Sequence, residues 1–372
     1  MRRDRLPLLR KYSLIGVLAI SWCLSAGAEA QTLVERVNGG VVKLITGPDA
    51  TSVQIAQDLA NVVDDGVTRR VLPVVGRGSM QNLIDLKLLR GIDVGVVRSD
   101  AFEDARALAS WLGPIDSLTY IAKLYNEELH VLARADIGSI AELEGKRVTF
   151  VRSAGPLGPA IFKLLKIAVE PASDDAAAAL QKLKDGQTAA LVYVGGKPIS
   201  LFDSVRQPEG LHFLPVSLDA QTMPSTYVPA RITAKDYPNL VAADTSIDTV
   251  AVSNVLLAAP LQAKSDRYRN VANFVEAFFT QFPRLREGGH NAKWEDVDLG
   301  SVVPGFRRFP AAETWLKRNE AASSSQSEQE LREAFAGFLD ERSRLSGAGG
   351  MTATQKEEMF SLFQQWLKNQ PR

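Results

Sequence analysis

Four cationic side chains stand where ligand chemistry is possible. Arg77, Arg98 and Arg152 each lie in a loop that closes an apolar run and precedes a helical pattern, and Lys197 lies in a fourth loop. Serines accompany the three arginines as Ser79, Ser99 and Ser153, and Thr46, Thr51 and Ser52 surround the first loop of the chain. A helix start exposes free N–H groups and a partial positive charge, which suits a carboxylate. A guanidinium beside it can grip the same carboxylate through two hydrogen bonds. Gly78 and Gly196 either let the backbone approach a guest or simply make turns. Asp49 and Asp100 cut the other way, since each can hold an amino group or pair with an arginine. Any one of these charges alone reads equally well as a solvated surface residue. Taken together, Thr46, Thr51, Ser52, Arg77, Gly78, Ser79, Arg98, Ser99, Asp100, Arg152, Ser153, Gly196 and Lys197 form the candidate ligand-binding set.

Other chemistries find little support. His130, His212 and His290 are isolated, without the spacing of metal ligands. Glu127 and Glu128 are adjacent, but a solvated or hinge position accounts for them better than acid–base work. Gly155 and Gly158 are separated by prolines and lack the glycine-lysine ending of a phosphate loop, and no serine sits in a nucleophile elbow. The expectation is a binding protein without catalytic residues, metal or cofactor. Acidic and basic residues balance at 43 each, so no nucleic-acid footprint is visible.

The elements that must position these residues can be read along the chain. A basic start, MRRDRLPLLRK, then YSLIGVLAISWCL and Ala28-Glu29-Ala30, form a cleavable export signal over residues 1–30. The lone cysteine, Cys23, lies inside it. The remainder, about 340 residues, suffices for two lobes of ordinary domain size. Val41 to Ile45 reads as a strand, followed by a helix capped at Thr51 or Ser52. Val71 to Val75 reads as a second strand, Ser79 caps a helix carrying Met80, Leu83, Ile84 and Leu88, and IDVGVV is a buried parallel strand. In an open α/β sheet such strand-to-helix loops gather at the carboxyl edge, where ligands bind.

Two extended segments, around Tyr120–Leu124 and Leu129–Ala133, look like a crossing between lobes. RVTFV at 147–151 and Ala189 to Val194 repeat the strand-and-loop pattern, and the apolar run from Asp248 to Ala259 returns the chain to the first lobe. Ser323-Ser324-Ser325-Gln326-Ser327 reads as a linker before two amphipathic helices with capping boxes at Ser327/Glu330 and Thr354/Glu357. The organisation expected is lobe 1 over 31–128 with 248–320, lobe 2 over 129–247, and a helical hairpin over 321–372. That hairpin packs on its own body or serves as a surface for a homodimer or another protein.

GRGSMQN at 76–82, GIDVGVVRSD at 91–100, LYNEELHVLAR at 124–134, SIAELEGKRVTFV at 139–151, LKDGQTAALVYVGGKP at 183–198 and VVPGFRRFP at 302–310 follow one another in order. In this succession the chain resembles a TAXI-type solute receptor, the periplasmic binding component of a TRAP transporter, over roughly residues 40–320. The resemblance implies a type II periplasmic-binding-protein fold: two α/β lobes joined by a two-strand hinge, with a small organic anion such as a carboxylate or amino acid held between them. It also implies a periplasmic location and delivery of the guest to membrane permease subunits. Two departures accompany it. The paired tyrosines of the family's first loop are absent from Pro48 to Val53, and Arg98 stands where a neutral polar residue is usual. A signalling or assembly protein on the same scaffold, docking a partner through residues 321–372, is the alternative.

Overall fold

A computed structural model of the chain describes residues 39–206, 210–219, 221, 223–346 and 351–368. The export signal expected over residues 1–30 lies outside them. A body reaching to Phe309 and a second unit beginning at Pro310 form separate compact units.

The first lobe starts as expected, with β1 (Val41–Thr46), α1 (Ala50–Val63), β2 (Arg70–Val75), α2 (Ser79–Leu88) and β3 (Val94–Arg98). β1 pairs in parallel with β2 on one side and β3 on the other. Branched side chains and burial on both faces make β3 a central strand, and its first four residues are buried. Short helices α3 (Ala101–Ala107) and α4 (Ala109–Leu112) follow. Ile45, Leu83, Leu86, Val97 and Phe102 pack into this lobe's core with Tyr120 and Leu257.

β4 (Thr119–Arg134) then carries the chain across. The two extended segments expected here are one strand of 16 residues. The polar stretch Asn126-Glu127-Glu128 between them does not interrupt it: both glutamates are buried and the ladder runs through them. At about 3.3 Å per residue such a strand is long enough to serve two lobes. In lobe 2, β5 (Arg147–Val151), α5 (Leu157–Leu164), β6 (Glu170–Asp174), α6 (Ala176–Lys184) and β7 (Ala190–Gly195) repeat the parallel arrangement of lobe 1. β8 (Leu211–Phe213) and β9 (Tyr227–Thr233) add antiparallel edges, and β10 (Ser246–Ala258) returns the chain. α7 (Asp266–Leu285) and the short β11 (Arg307–Arg308) complete the body.

The strand order is β2-β1-β3-β10-β4-β7-β5-β6. The long antiparallel pair β4 and β10 is shared by the lobes, with β3 beside β10 on one side and β7 beside β4 on the other. This is the type II periplasmic-binding-protein fold. The register of the pair shifts between Ser253 and Val255, at the crossing itself, as a bulge does where a sheet must bend.

The second unit is a helical hairpin, α8 (Pro310–Ser346) and α9 (Ala353–Lys368). The serine run expected to be a linker is helical, as is the proposed cap at Ser327. Serine costs a helix only a few tenths of a kcal/mol relative to neutral residues (~0.5 against alanine), so flanking helix formers carry the run through. The capping box of α9 falls two residues before Thr354/Glu357. Thr352 Oγ1 accepts the N–H of Gln355, and the Gln355 side chain accepts the N–H of Thr352. Phe335 stacks on Phe363 at 4.8 Å and meets Phe360 at 5.7 Å, while Arg332 pairs with Glu357 at 2.9 Å. No helix among the described residues is long and apolar enough to cross a membrane.

Candidate functional site

Strand-to-helix loops of both lobes meet around a cavity of about 770 Å³. From lobe 1 it is lined by the loop before α1, the loop from Arg77 to Ser79 with the first turns of α2, and the end of β3. From lobe 2 it receives Val151 to Ser153, Gly155, Pro156, Tyr193 and Val194. The crossing strands contribute Glu127 and Asn254 as its floor.

Seven members of the candidate set line this cavity: Ser52, Arg77, Gly78, Ser79, Arg98, Arg152 and Ser153. Their roles differ from those expected. The cap of α1 is Asp49, whose carboxylate accepts the Ser52 N–H at 2.8 Å, and Thr51 and Ser52 lie in the first turn. The Ser52 hydroxyl instead shares a hydrogen bond with the Tyr125 hydroxyl at 3.0 Å. Gly78 occupies the N-cap of α2, with no side-chain cap. Ser79 Oγ accepts the backbone N–H of Arg98 at 3.0 Å and so ties α2 to the end of β3.

Arg98 departs furthest from a ligand-facing role. Its Nε and Nη2 donate to the two oxygens of Asp100 at 3.2 and 2.5 Å. Its Nη1 donates to Glu127 Oε2 at 3.3 Å and to the Ser153 carbonyl at 2.9 Å. Four donor contacts from one guanidinium are therefore made within the protein, and its side chain is 11% exposed. Burial disfavours its charge, but Asp100 and then Glu127 outweigh burial and hold it cationic. Arg77 and Arg152 are the reverse case. Both are exposed at the rim, one from each lobe, and neither makes an ion pair or side-chain hydrogen bond with the described residues.

The other six candidates lie outside the cavity lining. Thr46 is fully buried and donates to the Ser52 carbonyl at 2.9 Å. Ser99 is buried between the Thr226 carbonyl at 2.8 Å and the Ser253 N–H at 3.1 Å, and Asp100 is engaged by Arg98. Lys197 Nζ pairs with Asp236 at 2.9 Å. Gly196 is a contact between lobes: a Cβ there would stand 3.1 Å from the Thr51 methyl and 3.2 Å from Lys293 Cε. For Ser99 and Lys197 a partner distant in sequence satisfies the polar group, whereas Thr46 and Asp100 find theirs within six residues.

Glu127, Asn254 and Tyr193, outside the candidate set, also line the cavity. Glu127 is 2% exposed, so a solvated position is excluded. Asn254 Nδ2 donates to its Oε1 at 2.9 Å. Burial pushes the Glu127 carboxyl up to about 7, with Asp49 adding to the rise and Arg98 and Asn254 opposing it. The available signals were thin: a lone Asn inside VSNVLL and a tyrosine inside LVYVGG.

Behind the floor, His130 is wholly buried, with Nδ1 donating to the Glu128 carbonyl at 2.9 Å and Nε2 accepting from the Tyr237 hydroxyl at 2.9 Å. That tautomer follows because the Tyr237 oxygen itself accepts the Ile199 N–H. Phe202 and Phe213 complete the surround, and burial pushes the imidazole down to about 3, so it is a neutral structural group.

Two α/β lobes on a shared pair of strands, with a cleft at the carboxyl ends of their strands, define a protein of the periplasmic-binding class. The sequence profile of the NMT1-like family, within the periplasmic-binding-protein superfamily, matches residues 51–305, and the chain belongs to that family. Among solved structures it is similar to the periplasmic aliphatic sulphonate binding protein SsuA from Escherichia coli, at 15% identity over 74% of this chain and 82% of that one, with a TM-score of 0.41. It is also similar to the periplasmic binding protein BugD, at 14% identity over 75% and 93%, TM-score 0.43. The arginine-bound form of truncated ArgBP from T. maritima matches at 12% identity over 66% and 96%, TM-score 0.36.

Proposed function

We propose that the chain is an exported, periplasmic solute-binding protein that captures a small organic anion between its lobes and delivers it to a TRAP-type membrane permease, as a TAXI-type receptor does. The observation that carries this reading is the pair of unengaged arginines, Arg77 from lobe 1 and Arg152 from lobe 2, at the rim of one cavity of about 770 Å³. A carboxylate or similar group held by both would bridge the two lobes, and bidentate guanidinium contacts supply the geometry. Met80, Ile84 and Val96 on one wall and Val151 and Val194 on the other offer an apolar bed for the guest's hydrocarbon part. Glu127 at the floor and Asp49 in the loop before α1 add a place for an amino group, which favours an amino acid when the guest is zwitterionic.

Calorimetric titration of a panel comprising acetate, octanoate, glutamate, leucine and an alkanesulphonate tests the reading. Binding of at least one acid that weakens in both Arg77→Ala and Arg152→Ala supports it. A panel with no saturable heat, together with no acid copurifying by mass spectrometry, counts against solute capture.

The second reading, a docking protein on this scaffold, draws on the hairpin. Phe338 is 58% exposed and Leu362 65% exposed on α8 and α9. Sedimentation of the full chain beside a chain ending at Phe309 separates the two: self-association lost only in the shorter chain supports docking.

A further inference from the structure

Successive residues of a strand point to opposite faces of the sheet. Glu127 and Glu128 sit side by side in β4 at the crossing between lobes, so their carboxylates face opposite sides of it. On the cleft side, Glu127 meets Arg98 of lobe 1, and the same Arg98 nitrogen donates to the Ser153 carbonyl of lobe 2. On the other side, Glu128 Oε1 accepts from Lys293 of lobe 1 at 2.7 Å, while its Oε2 accepts the Lys197 N–H of lobe 2 at 3.0 Å. The Lys293 side chain is 4% exposed and also reaches Asp296 at 3.1 Å. A lobe 1 cation is thus tied to lobe 2 backbone once on each face of the hinge, through Arg98 itself on the Glu127 side and through the Glu128 carboxylate on the other.

We propose that Glu127 and Glu128, with Arg98 and Lys293, form a two-sided clasp that holds the lobes closed before any solute arrives. Three features of the structure support it. Every contact of the clasp is between the protein's own groups. Gly155 of lobe 2 sits at a φ of +52° with the Arg98 guanidinium against it, and a Cβ there would stand 2.6 Å from Nη2. Gly196 of lobe 2 likewise seats on Thr51 and the Lys293 stem of lobe 1, so both halves of the clasp close onto a glycine. A residue without Cβ is required where a side chain from the opposite lobe must lie flat on the backbone.

The clasp changes how capture works. A cleft that is already closed costs a guest no closing energy, so affinity is not reduced by a rare competent state. Entry then depends on how often the clasp opens. Arg98 and Lys293 are positioning residues here, acting on lobe geometry, and the clasp holds whichever solute the cleft accepts.

The test is a distance measurement between lobes by pulsed electron resonance. Spin labels are placed at Gln57→Cys on α1 and Ala177→Cys on α6, in the full chain with Cys23→Ser as background. The protein is refolded from guanidinium to strip any copurified solute. The clasp predicts a single short distance in this parent, and a second, longer population in the Arg98→Gln/Lys293→Met double variant. Gly155→Ala changes no charge and shifts the same distribution in the same direction to a smaller extent. A cooperative melt certifies each variant as folded, and Gly155→Ala alone decides the matter if the double variant does not fold. A parent that already populates both distances, or folded variants whose distribution matches the parent, overturns the clasp.

Discussion

Arg98 and Arg152 occupy matching places in the two lobes, each just after or at the end of a central parallel strand. One is buried against Asp100, Glu127 and the Ser153 carbonyl, and the other is exposed with no partner among the described residues. Arg77 shares the second condition. The difference shows that position in a strand-to-helix loop does not make an arginine a ligand group. What decides is how many acceptors the surrounding fold brings within reach. Where two carboxylates and a carbonyl are already present, the guanidinium is a structural cation, and the rim arginines are left to meet a guest.

The contrast breaks most visibly on deletion. Arg98→Ala leaves Asp100 and Glu127 buried without their cation, and removal of one partner from such a network costs about 3–5 kcal/mol. Arg77→Ala and Arg152→Ala, at exposed positions, shift stability by no more than about 0.5 kcal/mol. Urea unfolding of the three variants measures this, and equal midpoints would erase the distinction.

A pH series sharpens it. With its carboxyl raised to about 7 from an ordinary 4.5, folded Glu127 binds a proton that the unfolded chain has already released. Its contribution is therefore neutral below the unfolded value and becomes a growing cost as pH rises through the window from 4.5 to 7. Glu127→Gln removes that cost, up to about 3 kcal/mol at neutral pH, and flattens the wild-type decline. Unfolding midpoints taken across the window check the sign; a variant with the same slope as wild type would reassign the proton.

Affinity reverses the ranking of the arginines. Loss of one charge-assisted hydrogen bond is worth about 1.5–3 kcal/mol, so either rim variant weakens the best acid by roughly ten- to a hundredfold. Calorimetry with that acid reads the effect, and undiminished binding in both variants would remove the rim from the site. The smallest change lies outside the body. Thr352→Ala removes the cap of α9 and costs about 1 kcal/mol, seen as faster hydrogen exchange in its first turn; unchanged exchange would show the cap to be dispensable.

Much of the architecture was legible from local pattern. Apolar runs with branched residues marked β1, β3, β5 and β7, glycine and polar loops marked their ends, and Asp248 to Ala259 announced β10. Errors arose where local chemistry was ambiguous. A serine run read as linker is helix, and a cap assigned to Thr51 or Ser52 belongs to Asp49. The extended segments around Tyr120–Leu124 and Leu129–Ala133 are one strand.

The sequence by itself determined most of the strands and helices of the body and which loops carry charge, because periodicity and turn chemistry act over a few residues. Only the tertiary structure decided which charges are free. Arg98 is paired across 29 residues to Glu127 and bonded across 55 to Ser153, and Lys293 finds Glu128 across 165. Such partners are chosen by the register of β4 and the approach of two lobes, and no spacing within a loop encodes either.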